Sequence, residues 1–401
     1  MKPGVISSII SKISPSATIA VAAKADELKR KGIKIISFAT GEPDFDTSEN
    51  IKEAADQAMK AGFTKYTAVA GIKELREAIC IKLKRDNHLD YIPSQIIVSN
   101  GAKQALYNAF MTICEQGDEV LLPTPCYVTF PEQVKLAGGT LVYVPTKEEN
   151  NFRITLEELK TKYTPKTKVL VFNSPNNPSG AVCKGDDLEK IANFLVDKGI
   201  WVITDEIYEN ITYDKTEHIS IASLGQEIKN QTIMVNGLSK TYAMTGWRVG
   251  YAAGPEEIIS AMVKFQGHVT ANINSIAQKG AIEALTGPQE VIKTMCKEYA
   301  RRREYMVKKL NSIRGISCNS PDGAFYVFPN ISKLYGARLG DKIINNEMDV
   351  VNYILDEAHV AVVPGEAFKY PDHVRFTFAI SIDKIKEGLN RIKAAINKLI
   401  F

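Results

Sequence analysis

The sequence predicts an α/β fold: a mostly parallel central sheet flanked by helices, with a smaller α+β domain toward the C-terminal end. Three observations lead there. Between residues 96 and 253, seven short apolar runs alternate with helical stretches, the order that builds βαβ units. Runs such as V-L-V-F (169–172) and W-V-I-T (201–204) are continuously apolar rather than alternating, as strands covered on both faces are. A long helical pattern rich in Lys, Arg and Glu, from about 288 to 311, then gives way to segments of mixed order.

The elements follow in turn. Ser16 or Thr18 caps a first helix running to about Lys31, where Gly32 supplies the stop. A short strand over 33–38 and helices near 48–61 and 72–86 come next. The seven apolar runs are 96–99, 119–122, 141–144, 168–172, 201–204, 233–235 and 249–253. After the long helix stand strand-like G-A-F-Y-V-F, a helix near 350–358, strand-like V-A-V-V-P and V-R-F-T-F, and a closing helix. The expected division is an N-terminal segment (1–45) packing with the small domain, a large ligand-binding domain (46–290) and a small C-terminal domain (291–401) joined by the long helix.

At 401 residues the chain exceeds one ordinary domain, and 45% hydrophobic with 24% charged residues is a globular composition. Its 50 basic and 46 acidic side chains leave a net charge of only +4, which argues against nucleic acid or an anionic membrane as partner. The basic cluster of Lys297, Arg301, Arg302, Arg303, Lys308 and Lys309 is interrupted by Glu298 and Glu304 and reads as a solvated helix face. Six cysteines without a C-x-x-C pair read as small buried hydrophobes of a reducing compartment, with neither disulfides nor a metal site expected. Ser7, Ser8, Ser11 and Lys12 break any secretory apolar core, and no apolar run reaches bilayer length, so a cytoplasmic location is expected.

Five features fall at strand ends, where an open α/β sheet gathers its ligands. N-S-P-N-N-P-S-G (173–180) follows an apolar strand; taken alone it is a turn. T-D-E-I-Y (204–208) ends a strand on Asp205; taken alone it reads as a helix cap or a surface loop acid, and if the carboxylate is buried it implies a cation nearby. N-G-L-S-K-T-Y-A-M-T-G-W-R-V-G-Y (236–251) sets Lys240 among small residues with Arg248 close behind, a combination that suits a phosphate. S-N-G-A-K-Q-A-L (99–106) leads from a strand through Gly101 into a helix whose first N–H groups can hold an anion. It matches neither the dinucleotide nor the triphosphate fingerprint. In V-R-F-T-F (374–378), Arg375 suits either a wet sheet face or a carboxylate fork aimed into a cleft.

With these five motifs, P-S-A-T (15–18), G-E-P-D-F-D-T (41–47), K-Y-T-A-V-A-G-I-K-E-L-R (65–76), G-A-F-Y-V (323–327) and V-V-P-G-E-A-F (362–368), nearly the whole chain resembles the class I aminotransferases. These are enzymes of pyridoxal 5′-phosphate (PLP) fold type I, and the chain is most similar to their prokaryotic aspartate-specific branch. The resemblance implies a homodimer that binds PLP in its large domain and moves the amino group of an amino acid, L-aspartate first, to a 2-oxo acid such as 2-oxoglutarate by ping-pong kinetics. It assigns Lys240, Asp205 and Tyr208 to catalysis: Lys240 holds the cofactor as an imine, Asp205 meets the pyridinium nitrogen, and Tyr208 and Asn177 hydrogen-bond the phenolic oxygen. Ser239, Arg248 and the backbone at Gly101, Ala102 and Lys103 are implied to hold the phosphate, with Tyr66 reaching it from the other subunit and Tyr127 stacking on the ring. Gly41, Asn177, Tyr127 and Arg375 are implied for the substrate and its α-carboxylate, and Lys103 for a distal carboxylate. Ser14 stands where some relatives that handle bulkier dicarboxylates carry a basic residue.

Aromatic, alanine or prephenate specificity, or a PLP-dependent C–S lyase, are the alternatives within the fold. A non-catalytic regulator of the same fold would need an added DNA-binding domain, whereas here the pattern starts within the first twenty residues.

Overall fold

A computed structural model describes residues 5–15 and 17–401. Ser16 and the Thr18 side chain, the cap candidates of the first helix, lie outside what is described. The strands are β1 (Ile36–Ser37), β2 (Ile96–Asn100), β3 (Glu119–Thr124), β4 (Thr140–Pro145), β5 (Thr167–Asn173), β6 (Trp201–Asp205), β7 (Thr232–Gly237) and β8 (Val249–Ala253), followed by β9 (Tyr326–Val327), β10 (Arg338–Leu339), β11 (Lys342–Ile343), β12 (Val360–Ala361), β13 (Val363–Pro364) and β14 (Val374–Thr377).

Seven of them form the central sheet in the order β2-β8-β7-β6-β5-β3-β4. All neighbours run parallel except those of β8, which pairs antiparallel with both β2 and β7. The continuous apolar runs are explained by what lies on each face. In β5, Val169 and Val171 enter the cluster that includes Leu106 and Phe110 of the helix Ala102–Ile113, while Leu170 and Phe172 enter the opposite one with Leu188, Ile191 and Leu195 of the helix Gly185–Lys198. Each such side chain contributes roughly 1.5–3 kcal/mol on burial, so neither face tolerates an alternating polar pattern. The Gly185–Lys198 helix stops at Gly199, whose φ of 63° is the left-handed conformation that closes helices.

A second body follows the helix Glu290–Leu310 and contains the sheet β13-β14-β9, with the helices Glu347–Ala358 and Ile382–Ile396 packed in one apolar cluster with Phe376, Phe378 and Val360. The N-terminal β1 joins it, pairing parallel with β12.

Several expectations are corrected here. Of the strand expected over 33–38, only Ile36–Ser37 is paired, because β12 offers just two residues to pair with. V-A-V-V-P is split between two sheets, Val360–Ala361 on β1 and Val363–Pro364 on β14. G-A-F-Y-V-F contributes two strand residues, and the hairpin β10–β11 was not anticipated. The basic helix face is not wholly solvated: Arg302 and Arg303 are 6% and 8% exposed. Arg302 binds Asp44 (2.7 Å) and Glu298 (2.8 Å), and Arg303 binds Asp214 (2.9 Å) and the Pro321 carbonyl (3.0 Å). Cys114, Cys126 and Cys318 are buried, but Cys80, Cys183 and Cys296 are only partly so, and all six are free thiols. Among the described residues no helix is long and apolar enough to cross a membrane.

Candidate active site

A cavity of about 430 Å³ opens where the C-terminal ends of the parallel strands face the second body. Strand register brings its floor together. Asn173, the last residue of β5, lies opposite Asp205, the last of β6, and the loop that follows β7 carries Ser239 and Lys240. Asn173 fastens two neighbours: its Nδ2 donates to the Asp205 carbonyl (2.9 Å) and its Oδ1 accepts from the Asn177 N–H (3.0 Å).

At one end the β2 strand passes through Gly101 into the helix Ala102–Ile113. Gly101 has φ 78°, and a Cβ on it would stand 2.4 Å from Arg248 Nη2, so only glycine lets the guanidinium lie against the helix start. A Cβ on Gly250 would meet the Ala102 nitrogen at 2.1 Å. Arg248 donates to the carbonyls of Thr245 (2.9 Å) and Asn100 (3.3 Å), and no carboxylate pairs with it among the described residues. Helix N–H groups, a hydroxyl (Ser239) and an unpaired guanidinium on one wall form an anion site.

Asp205 sits at the middle, 5% exposed. Its carboxylate accepts from the Ile207 N–H (3.2 Å), and burial pushes its pKa up to about 7, with Glu206 adding to the rise. The cation that a buried carboxylate implies is therefore not in contact with it; Lys240 acts on it only at longer range. Lys240 Nζ donates to the Gly41 carbonyl at 2.5 Å, and burial draws its pKa down to about 8. Behind Asp205, the acids Glu206 and Glu209 and His218 come within 4.8 Å of one another. The two carboxylates are already held by protein, Glu206 by Ser220 (2.8 Å) and His218 Nε2 (2.9 Å) and Glu209 by Lys82 and Asn87, while His218 Nδ1 has no partner among the described residues.

At the far end Arg375 is 2% exposed. It donates to Asn177 Oδ1 (3.0 Å) and the Ala39 carbonyl (2.7 Å), its Nε has no partner, and no carboxylate neutralises it among the described residues. A buried guanidinium left in this state is matched to an anion brought by a ligand. The carboxylate-fork alternative for Arg375 is thus the one its surroundings suit.

Of the residues named from sequence, Gly41, Ala102, Lys103, Tyr127, Asn177, Asp205, Tyr208, Ser239, Lys240, Arg248 and Arg375 all line this one cavity. Gly101 adjoins it through Arg248. Tyr66 does not: it is 93% exposed on this single chain. The sequence reading missed Tyr326, Asn173 and Glu42, which also line it. Glu42 accepts from the Thr245 hydroxyl (3.0 Å), and its place beside Gly41 in G-E-P-D was the available signal.

The residues fit PLP. The volume is that of a small-molecule site, and an anion site, a buried acid lacking a cation and a buried amine of lowered pKa share it.

Comparison with known proteins agrees. The family model for aminotransferase class I and II matches residues 33–392. The aspartate aminotransferase of Bacillus subtilis (strain 168) is 46% identical over 389 residues, covering 97% of this chain and 98% of the relative. The "Probable aspartate/prephenate aminotransferase" of Aquifex aeolicus (strain VF5) is 45% identical over 396 residues, 98% and 99% of the two chains. The crystal structure of the aspartate aminotransferase from Rhizobium meliloti superposes with a TM-score of 0.96 at 41% identity, covering 99% of this chain and all of the other. With a full-length match in sequence and in fold, this chain belongs to the class I and II aminotransferases.

Proposed function

We propose that this aminotransferase takes the amino group from L-aspartate and passes it to a 2-oxo acid such as 2-oxoglutarate, with PLP held in the cavity described. The observation that carries the reading is a buried Asp205 and a buried Arg375, neither in contact with a group of opposite charge, lining one cavity with a lysine amine of lowered pKa. When bound, PLP supplies an electron sink for the bond to the α-hydrogen and a carrier for the amino group.

The chain's own groups do the rest. Lys240 Nζ, with a pKa of about 8, is neutral in a useful fraction near physiological pH and can take a proton from the substrate α-carbon and return it to the carbon on the far side of the amine nitrogen, two bonds away. With the cofactor bound, the Asp205 carboxylate would hold a proton on the ring nitrogen through its negative charge, and Tyr208 and Asn177 would donate toward the phenolic oxygen. Arg248, Ser239 and the N–H groups of Ala102 and Lys103 would hold the phosphate, with Gly101, whose own N–H donates to the Ser99 carbonyl (2.7 Å), giving the chain room to turn there; Tyr127 would cover the ring face. Arg375, Gly41 and Asn177 fix the α-carboxylate and thereby the bond to be broken. The same reading divides the chain at residues 45 and 290, supported by the pairing of β1 with β12 across the two ends of the sequence.

Aspartate rather than a neutral donor rests on Lys103, which lines the cavity with its Nζ 5.8 Å from the Tyr127 ring centre. A cation at the start of a helix is electrostatically disfavoured, so its presence there asks for an anionic partner. A charge-assisted hydrogen bond of roughly 1.5–3 kcal/mol implies that Lys103→Ser lowers kcat/KM for aspartate by roughly 10- to 150-fold. Alanine and phenylalanine lose far less. Equal losses for both donor classes would assign Lys103 to the cofactor or the fold instead. The same assays, with ammonia followed in parallel, separate transamination from a C–S lyase, which releases ammonia. Prephenate is the second reading, favoured by the name of the Aquifex aeolicus relative, and belongs on the same panel.

A homodimer is supported by Tyr66, whose 93% exposure leaves an aromatic ring in solvent that a second subunit would cover. Sedimentation should give twice the chain mass of 44.3 kDa at assay concentration. A fully active monomer would refute it.

A further inference from the structure

Three of the residues given roles above touch Tyr326. Its hydroxyl lies 2.9 Å from that of Tyr208. The Arg375 guanidinium carbon sits 4.4 Å from its ring centre, and a Cβ on Gly41 would stand 2.8 Å from its hydroxyl oxygen. The side chain is 1% exposed, and its backbone is fixed in register opposite Thr377 of β14. Tyr326 is thus a buried wall of the cavity.

Two phenol hydroxyls in contact share one proton between them, and the second proton points elsewhere. Neither hydroxyl has another partner among the described residues. For Tyr208 to donate into the cavity, its oxygen must accept from Tyr326. Burial pushes both phenols up, and the Arg375 cation opposes the rise at each. Both residues line the cavity, and the direction in which Tyr326 donates is the one that leaves the Tyr208 proton free for a ligand. A hydroxyl that accepts one hydrogen bond is polarised to donate a better one.

We propose that Tyr326 is a positioning residue: its hydroxyl donates to Tyr208 and so aims and strengthens the Tyr208 O–H as a donor to the phenolic oxygen of bound PLP, while its ring carries Arg375. This rests on the PLP reading above. One side chain would then join the group that tunes the cofactor to the group that holds the substrate.

The test is a spectrophotometric pH titration of the protein-bound imine in the holoenzyme, with no substrate present. A weaker Tyr208 donor stabilises the phenolate less, so Tyr326→Phe should raise the imine pKa by about 0.5–1 unit. It keeps the ring under Arg375, so KM for amino acids should barely move. Tyr326→Leu removes the ring too and should raise KM by roughly 2- to 30-fold. In the double variant Tyr208→Phe/Tyr326→Phe the imine should titrate like Tyr208→Phe alone, because Tyr326 acts through Tyr208. Fluorotyrosine at 326, a stronger acid of nearly the same shape, should lower the imine pKa and reads the same bond should Tyr326→Phe fail to fold. Additive shifts, or no shift in a folded Tyr326→Phe or fluorotyrosine protein, would overturn the proposal. A wild-type protein with no imine band would overturn the PLP reading itself, and the two failures are distinct.

Discussion

Lys240→Ala is expected to lower kcat by about 10⁴-fold or more, since general acid–base work alone accounts for roughly 10²–10⁴ and the residue is also the proposed point of attachment of the cofactor. The amine is well placed for this. It is held by the Gly41 carbonyl at 2.5 Å, and burial brings its pKa to about 8, close to working pH. Wild-type protein saturated with PLP should be yellow from the imine, and the alanine variant should show only the spectrum of free aldehyde. Turnover near the wild-type rate in Lys240→Ala would remove this lysine from the chemistry.

Asp205→Asn should cost roughly 10²- to 10³-fold in kcat, the usual loss when one preorganised electrostatic contact is removed. The same variant carries an independent signature without cofactor. Asp205 is raised to about 7 in the folded chain from an ordinary 3.8, so the folded state keeps a proton that the unfolded state has released. Its contribution is therefore fully present below about pH 4 and is lost as pH climbs through 7, by about 4 kcal/mol at most for a shift of this size. Asparagine has no such dependence. Urea melts of the two cofactor-free proteins at pH 5 and pH 8 should show Asp205→Asn gaining relative to wild type at the higher pH. A difference that does not change with pH would mean that Asp205 is not desolvated as described.

The central sheet was legible because burial on both faces leaves a mark in each strand: Val169 and Val171 face one helix layer, Leu170 and Phe172 the other. Most of the site was legible for a related reason, as its residues follow strand ends within short motifs. What could not be read depends on partners distant in sequence. Arg302 and Arg303 look like solvated charges on a helix until Asp44 and Asp214 are brought against them. Tyr326 looks like a core aromatic in G-A-F-Y-V, and only the pairing of β9 with β14 sets it beneath Arg375. The two-residue strands β1, β12 and β13 each span a single period of the strand alternation, too little for a pattern to mark their ends.

The bond from Arg375 to the Ala39 carbonyl spans 336 residues of chain. By contrast, the groups assigned to the cofactor on this chain's cavity, from Gly101 to Arg248, lie within its middle part. During synthesis the pieces of the phosphate and ring site are thus all outside the ribosome well before residue 375 is made, whereas the carboxylate fork exists only once both flanks of the sequence have met. On this topology the residues that this chain is proposed to give the cofactor are all synthesised before the proposed carboxylate fork can close.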